Sequence, residues 1–86
     1  MKFLLVEDDQ ALASSIDQKL SEQHYELDLA TDGVMGRDMA EAFPYDFILL
    51  DWTLPKLNGI ELCKYLRDEG NYKPIILMTA RDASSD

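Results

Sequence analysis

Apolar residues are spaced along this chain in two alternating rhythms. Phe3-Leu4-Leu5-Val6 is a short unbroken apolar run that stops at Glu7-Asp8-Asp9, the pattern of a strand buried on both faces and ending in a polar loop. After Asp9, a candidate helix cap, Leu12, Ile16 and Leu20 recur every four residues while Ser15, Asp17 and Lys19 fall elsewhere. That stripe predicts an amphipathic helix ending near His24. Tyr25-Glu26-Leu27-Asp28-Leu29 alternates apolar with acidic, which predicts an edge strand with one wet face. Asp32-Gly33 supplies turn chemistry before a second helix from Val34 to Phe43, in which Met35, Met39 and Ala42 share a face and Pro44 closes the pattern.

The second half repeats the scheme. Phe47-Ile48-Leu49-Leu50 is another buried-type run, and it too ends on a carboxylate, Asp51. Trp52 to Asn58 contains Pro55 and reads as a loop. Asn58 with Glu61 three residues on predicts a capping box for a third helix whose Leu62, Cys63 and Leu66 face the core and which ends at Gly70-Asn71. Pro74 leads into Ile75-Ile76-Leu77-Met78, a fourth strand of buried character. Strands alternating with helices require right-handed crossovers, so the expected class is α/β with a parallel sheet covered on both sides. Because the fourth strand shows no polar alternation, the intact domain is expected to continue with a helix, a fifth strand and a further helix.

Composition narrows the picture. Eighty-six residues make one domain at most, with a small core and marginal stability. A formal charge of −9, from 17 acidic and 8 basic side chains, repels nucleic acid phosphates and argues against direct DNA or RNA binding. A lone cysteine, Cys63, can form no internal disulfide and supplies no thiolate cluster, which favours a reducing compartment. No apolar run approaches membrane-spanning length, and the start lacks a small-residue cleavage site, so the cytoplasm is the expected location.

In a doubly wound sheet, ligands bind beyond the carboxyl ends of the strands, where the chain order reverses. Glu7 and Asp8 sit at one such end, Asp51 at another, and Thr79 ends the fourth strand. Convergence of these side chains would bring three carboxylates together, an arrangement that repels itself unless a cation is present. Magnesium suits it, since it takes hard oxygen ligands and is commonly shared between carboxylates and a phosphate. A carboxylate oxygen of Asp51 could then attack phosphorus, with a hydroxyl such as Thr79 and backbone N–H groups supplying alignment.

Three motifs now agree in order and spacing. Val6-Glu7-Asp8-Asp9, Leu50-Asp51-Trp52-Thr53-Leu54-Pro55 with Gly59 beyond, and Met78-Thr79-Ala80-Arg81 together resemble response-regulator receivers. The wording of the loop is most similar to the subclass joined to winged-helix DNA-binding domains. The resemblance covers residues 1–86 as the N-terminal part of such a domain and implies a flavodoxin-like strand order 2-1-3-4. It implies Asp51 as phosphoacceptor, Asp8 and Asp51 as direct magnesium ligands, Glu7 acting through water or as a supporting ligand, Thr53 as a main-chain carbonyl ligand and Thr79 as the switch hydroxyl. The implied partner is a sensor histidine kinase, with DNA reached only through a C-terminal effector domain. Family receivers also carry a lysine and an aromatic switch residue on a fifth strand, which this sequence does not include, so phosphorylation of the 86-residue chain is expected to be slow or absent.

Plainer accounts stand beside these. Asp9 is a cap or surface charge, His24 a surface residue at a helix end, Cys63, Met35 and Met39 packing residues, and Arg81 and Asp82 exposed loop charges. Two other functions compete with the phosphoacceptor. One is a receiver fragment that binds partners without phosphorylation. The other is a magnesium-dependent phosphohydrolase, disfavoured because Thr53 stands where general acid/base work would want an acid. An uncovered fourth strand is also a template for a homodimer formed by edge pairing or strand exchange.

Overall fold

The computed structural model describes residues 1–51, 54 and 56–78. Its elements are β1 (Lys2–Val6), α1 (Gln10–Glu22), β2 (Glu26–Ala30), α2 (Gly33–Ala42), β3 (Phe47–Asp51), α3 (Gly59–Asp68) and β4 (Ile75–Met78). The four strands form one parallel sheet in the order β2-β1-β3-β4, the expected order for the class. β1 has a neighbour on each side, and its Leu4, Leu5 and Val6 are fully buried. None of the helices of the described residues is long and apolar enough to cross a membrane.

Side-chain alternation divides the sheet. Leu4, Val6, Ile48 and Leu50 cluster with Leu62 and Leu66 of α3, with Ala40 of α2 and with Tyr45. Each fully buried leucine or isoleucine there contributes about 1.5–3 kcal/mol by leaving water. The opposite alternation sends Leu27 and Leu29 to the α1 side, where they line a shallow cleft with Ala13, Ser14 and Asp17. Helix starts are set by side chains that accept otherwise orphaned N–H groups. Asp9 Oδ1 accepts from Leu12 at 3.1 Å and Asp32 Oδ1 from Met35 at 2.8 Å. At α3 the capping box is complete, with Asn58 accepting from the Glu61 N–H at 2.9 Å and Glu61 accepting from the Asn58 N–H at 3.3 Å. Beyond α3, Gly70 takes φ +85°, the left-handed conformation that ends helices.

Four expectations about burial are corrected. On α1 it is Ala13 that is buried, while Leu12 stays exposed and Ile16 and Leu20 are half-buried, because α1 leans chiefly on edge strand β2. On α2 the buried face is Gly33, Gly36 and Ala40 rather than Met35, Met39 and Ala42. The helix lies so close to the sheet that a Cβ on Gly36 would come within 2.8 Å of Val6 Cγ2, so small residues must face inward. Met39 only borders the core and Met35 is exposed. On β2 the expected wet face is half-buried at Asp28, which accepts a hydrogen bond from Tyr45, whereas Leu29 on the other face is exposed. On β4, Ile76 and Leu77 are 46% and 44% exposed, since among the described residues only β3 pairs with this strand.

Candidate metal centre

The register of the sheet explains why residues far apart in sequence meet. Val6 lies beside Leu50 in the β1–β3 pairing, so the next residues, Glu7 and Asp51, are neighbours and turn to the same face. The ladder continues past β1, with the Glu7 N–H donating to the Ala30 carbonyl at 2.9 Å. Glu7 is thereby held at the strand end, not released into the loop. The turn into α1 then adds Asp8. One carboxylate oxygen from each of Glu7, Asp8 and Asp51 lies within 4.8 Å of the others.

Burial makes this proximity costly. Glu7 is 2% exposed and Asp51 7%, while Asp8 is open to solvent. Glu7 Oε2 accepts the Asp9 N–H at 3.0 Å, but Oε1 is buried with no hydrogen-bond partner among the described residues. The Glu7 carboxyl is pushed up from 4.5 to about 7, first by burial; the Asp9 N–H opposes this, and the neighbouring carboxyls of Asp51 and Asp8 add to it. A buried acceptor left unpaired costs about 1–3 kcal/mol, so a fold that keeps one needs something to offset it. Three convergent oxygen donors, two of them buried, and an orphaned oxygen among them fit a hard divalent cation.

Other expected residues fall as follows. Thr53, Thr79, Trp52, Arg81 and Asp82 lie outside the described residues. Asp9 is the cap of α1. His24 is exposed at φ +65° just after α1, and Cys63 is a free, partly buried cysteine packed against the core. Two features near the site are not evident from the sequence motifs. Lys56, in the segment between Asp51 and α3, pairs with Asp32 at 3.6 Å, and the backbone of Leu57 lies against Gly33. The signal available was the three-residue spacing of Gly33 and Gly36 within a helical pattern, which marks close helix approach.

The family model for the response regulator receiver domain matches residues 3–86. The protein RcaC of Microchaete diplosiphon is 48% identical over 82 residues, covering 95% of this chain and 13% of that protein. The response regulator MprA of Mycobacterium avium is 41% identical over 86 residues, 100% of this chain and 38% of that protein. The chain thus spans well under half the length of these relatives. Among solved structures, the receiver domain of Francisella response regulator 1452 superposes with a TM-score of 0.90 at 33% identity, covering 98% of this chain and 69% of that one. The Thermotoga maritima response regulator TrrA, solved in complex with Mg2+-BeF, gives a TM-score of 0.88 at 29% identity, covering 99% of this chain and 75% of that one.

Proposed function

The chain belongs to the response regulator receiver domain family, and we propose that it takes a phosphoryl group onto Asp51 at a magnesium site formed with Glu7 and Asp8. The observation that carries this reading is the convergence of three carboxylates within 4.8 Å, one with a buried oxygen, Glu7 Oε1, that accepts no hydrogen bond among the described residues. In this reading Asp8 and Asp51 hold the ion, with Glu7 in support and the Thr53 main-chain carbonyl as a further oxygen donor. When bound, magnesium neutralises the carboxylates and offsets charge gathering on the transferred group. The TrrA complex with Mg2+-BeF is a precedent in a related protein for this metal.

The chain's own residues account for the rest. A carboxylate oxygen of Asp51 forms a bond to phosphorus as the bond from phosphorus to the donor nitrogen of a kinase phosphohistidine breaks, and the electron pair leaves with the imidazole. No proton is taken from Asp51, so no general base is needed. Asp51 is largely buried at the end of β3, which limits the access of water to its carboxylate. Thr79 serves as the switch hydroxyl that binds a phosphoryl oxygen, and the product is a modified protein, not a released compound. The chain therefore acts as an autocatalysed acceptor rather than a turnover enzyme.

Residues 1–86 form the N-terminal part of a receiver, a reading supported by its 69% share of the Francisella receiver chain. A cytoplasmic location follows from the kinase partner, and DNA is contacted only through a separate effector segment, in keeping with the −9 charge here. Incubation with a small phosphodonor and Mg2+, read by intact mass, tests the proposal. The expected result is a slow gain of one phosphoryl group that is absent in Asp51→Asn. Mg2+ binding with no such gain would identify a binding module instead, and turnover of unrelated phosphate esters lost in Asp51→Asn would identify a hydrolase.

A further inference from the structure

The buried face of α2 touches the chain on both sides of the acidic cluster. At its start, a Cβ on Gly33 would overlap the Leu57 carbonyl oxygen and come within 2.6 Å of Leu57 Cβ. Leu57 belongs to the segment that leads from Asp51 to α3, and it packs against the core. One turn on, Gly36 lies against Val6, where an added Cβ would meet both Val6 methyl groups at 2.8 and 2.9 Å. Val6 directly precedes Glu7. Gly36 therefore abuts the residue that directly precedes Glu7, and Gly33 abuts Leu57, six residues past Asp51.

The segment after Asp51 has further fixing points. Lys56 adopts φ +71°, a left-handed conformation that residues other than glycine rarely take, and a backbone held there is determined by its surroundings. Its ammonium pairs with Asp32 Oδ2 at 3.6 Å, while Asp32 Oδ1 caps α2 through the Met35 N–H at 2.8 Å. Leu54, between Asp51 and Lys56, is 8% exposed in the same core. The start of α2 is thus held against Lys56 and Leu57. Because interiors are close-packed, a methyl group inserted at Gly33 must displace either the helix or that segment.

We infer that Gly33 and Gly36 are positioning residues of the metal centre: their bare Cα atoms let α2 seat Leu57 and Val6, which sets the spacing between the β3 and β1 carboxylates. The inference rests on the magnesium reading above. Metal sites depend on such supporting contacts, whose loss costs about 10- to 100-fold in affinity. Glycine at these positions is therefore required by the site as well as by the packing.

The experiment is calorimetric Mg2+ titration of the full chain together with thermal unfolding, for the parent, Gly33→Ala, Gly36→Ala and Ala40→Gly. Ala40 lies on the same buried face of α2, and its change to glycine weakens the helix without adding any atom against Val6 or Leu57, so this variant reports the effect of lost stability. Expected are about tenfold weaker Mg2+ binding in Gly33→Ala, a smaller loss in Gly36→Ala that Val6→Ala restores, and unchanged affinity in Ala40→Gly despite a lowered melting temperature. Parent-like affinity in both alanine variants, with only melting temperatures reduced, overturns the inference while leaving the magnesium reading intact. If Gly33→Ala does not fold, the Gly36→Ala loss and its restoration by Val6→Ala decide. A parent chain that binds no Mg2+ removes the magnesium reading itself, and the inference with it.

Discussion

Two polar clusters sit on this small sheet, and they are built on opposite terms. Where β1 and β3 begin, Tyr45 is 2% exposed, yet its hydroxyl donates to Asp28 Oδ2 at 2.7 Å. Lys2 pairs with the same oxygen at 3.5 Å and lies 5.7 Å from the Tyr45 ring centroid, while the Lys2 N–H donates to Asp46 at 2.9 Å. Opposite charges and complementary donors meet there. Where the same strands end, Glu7, Asp8 and Asp51 bring like charges together, and among the described residues Glu7 Oε1 has no hydrogen-bond partner. A satisfied cluster stabilises a fold, whereas an unsatisfied one of like charge costs stability and is retained where a ligand completes it. The comparison separates the end of the sheet that holds the fold from the end available for chemistry.

The largest expected effect tests the unsatisfied end. The folded-state pKa of Glu7, about 7, lies above its unfolded value of 4.5, so the folded chain holds this proton more tightly. The resulting stabilisation is fully present below pH 4.5 and is lost as pH rises through about 7. In Mg2+-free buffer, Glu7→Gln is expected to gain about 1–3 kcal/mol over the parent between those limits, read by urea unfolding at several pH values. Saturating Mg2+ is expected to abolish that gain. A constant difference between the two chains across the whole range would break the comparison from this side.

The satisfied end should respond in the opposite sense. Tyr45→Phe removes a buried donor and leaves Asp28 half-buried without it, which is expected to cost about 1–2 kcal/mol and to leave Mg2+ affinity unchanged. Burial first, then the hydrogen bond to Asp28 and its charge, raises the Tyr45 pKa above 10. Its contribution is therefore present at neutral pH and lost as pH climbs past 10, so the parent is expected to lose stability in alkali more steeply than Tyr45→Phe. Circular dichroism melts from pH 8 to 11 check both statements. The smallest effect belongs to Lys2→Gln: about 0.5 kcal/mol or less, diminishing with added salt, because solvent reaches both partners of the Lys2–Asp28 pair, each more than a third exposed.

Legibility in the sequence follows the same division. Glu7, Asp8 and Asp51 could be read because each ends or follows an unbroken apolar run, and strand ends converge in a parallel sheet. Caps at Asp9 and Asn58 were equally readable, since their chemistry is local. Tyr45 and Asp28 could not be paired this way: their meeting depends on how β2 and the start of β3 face α2, which no short window contains. On α2, periodicity pointed to the methionines, but the closeness of the helix to Val6 selected glycine and alanine for the inner face. Burial of α1 and β4 was overestimated for a related reason. An apolar stripe states what a face would bury, while the neighbours present decide what it does bury.

Magnesium binding through Asp51 at the acidic end of the sheet is the central claim. Calorimetric titration of Mg2+ into the chain at pH 8, with Asp51→Asn alongside, measures this. The expected result is one ion bound per parent chain and an affinity at least about a hundredfold lower in Asp51→Asn, since a ligand counts for no less than its supporting partners. No binding by the folded parent, or equal binding by the two chains, would contradict it.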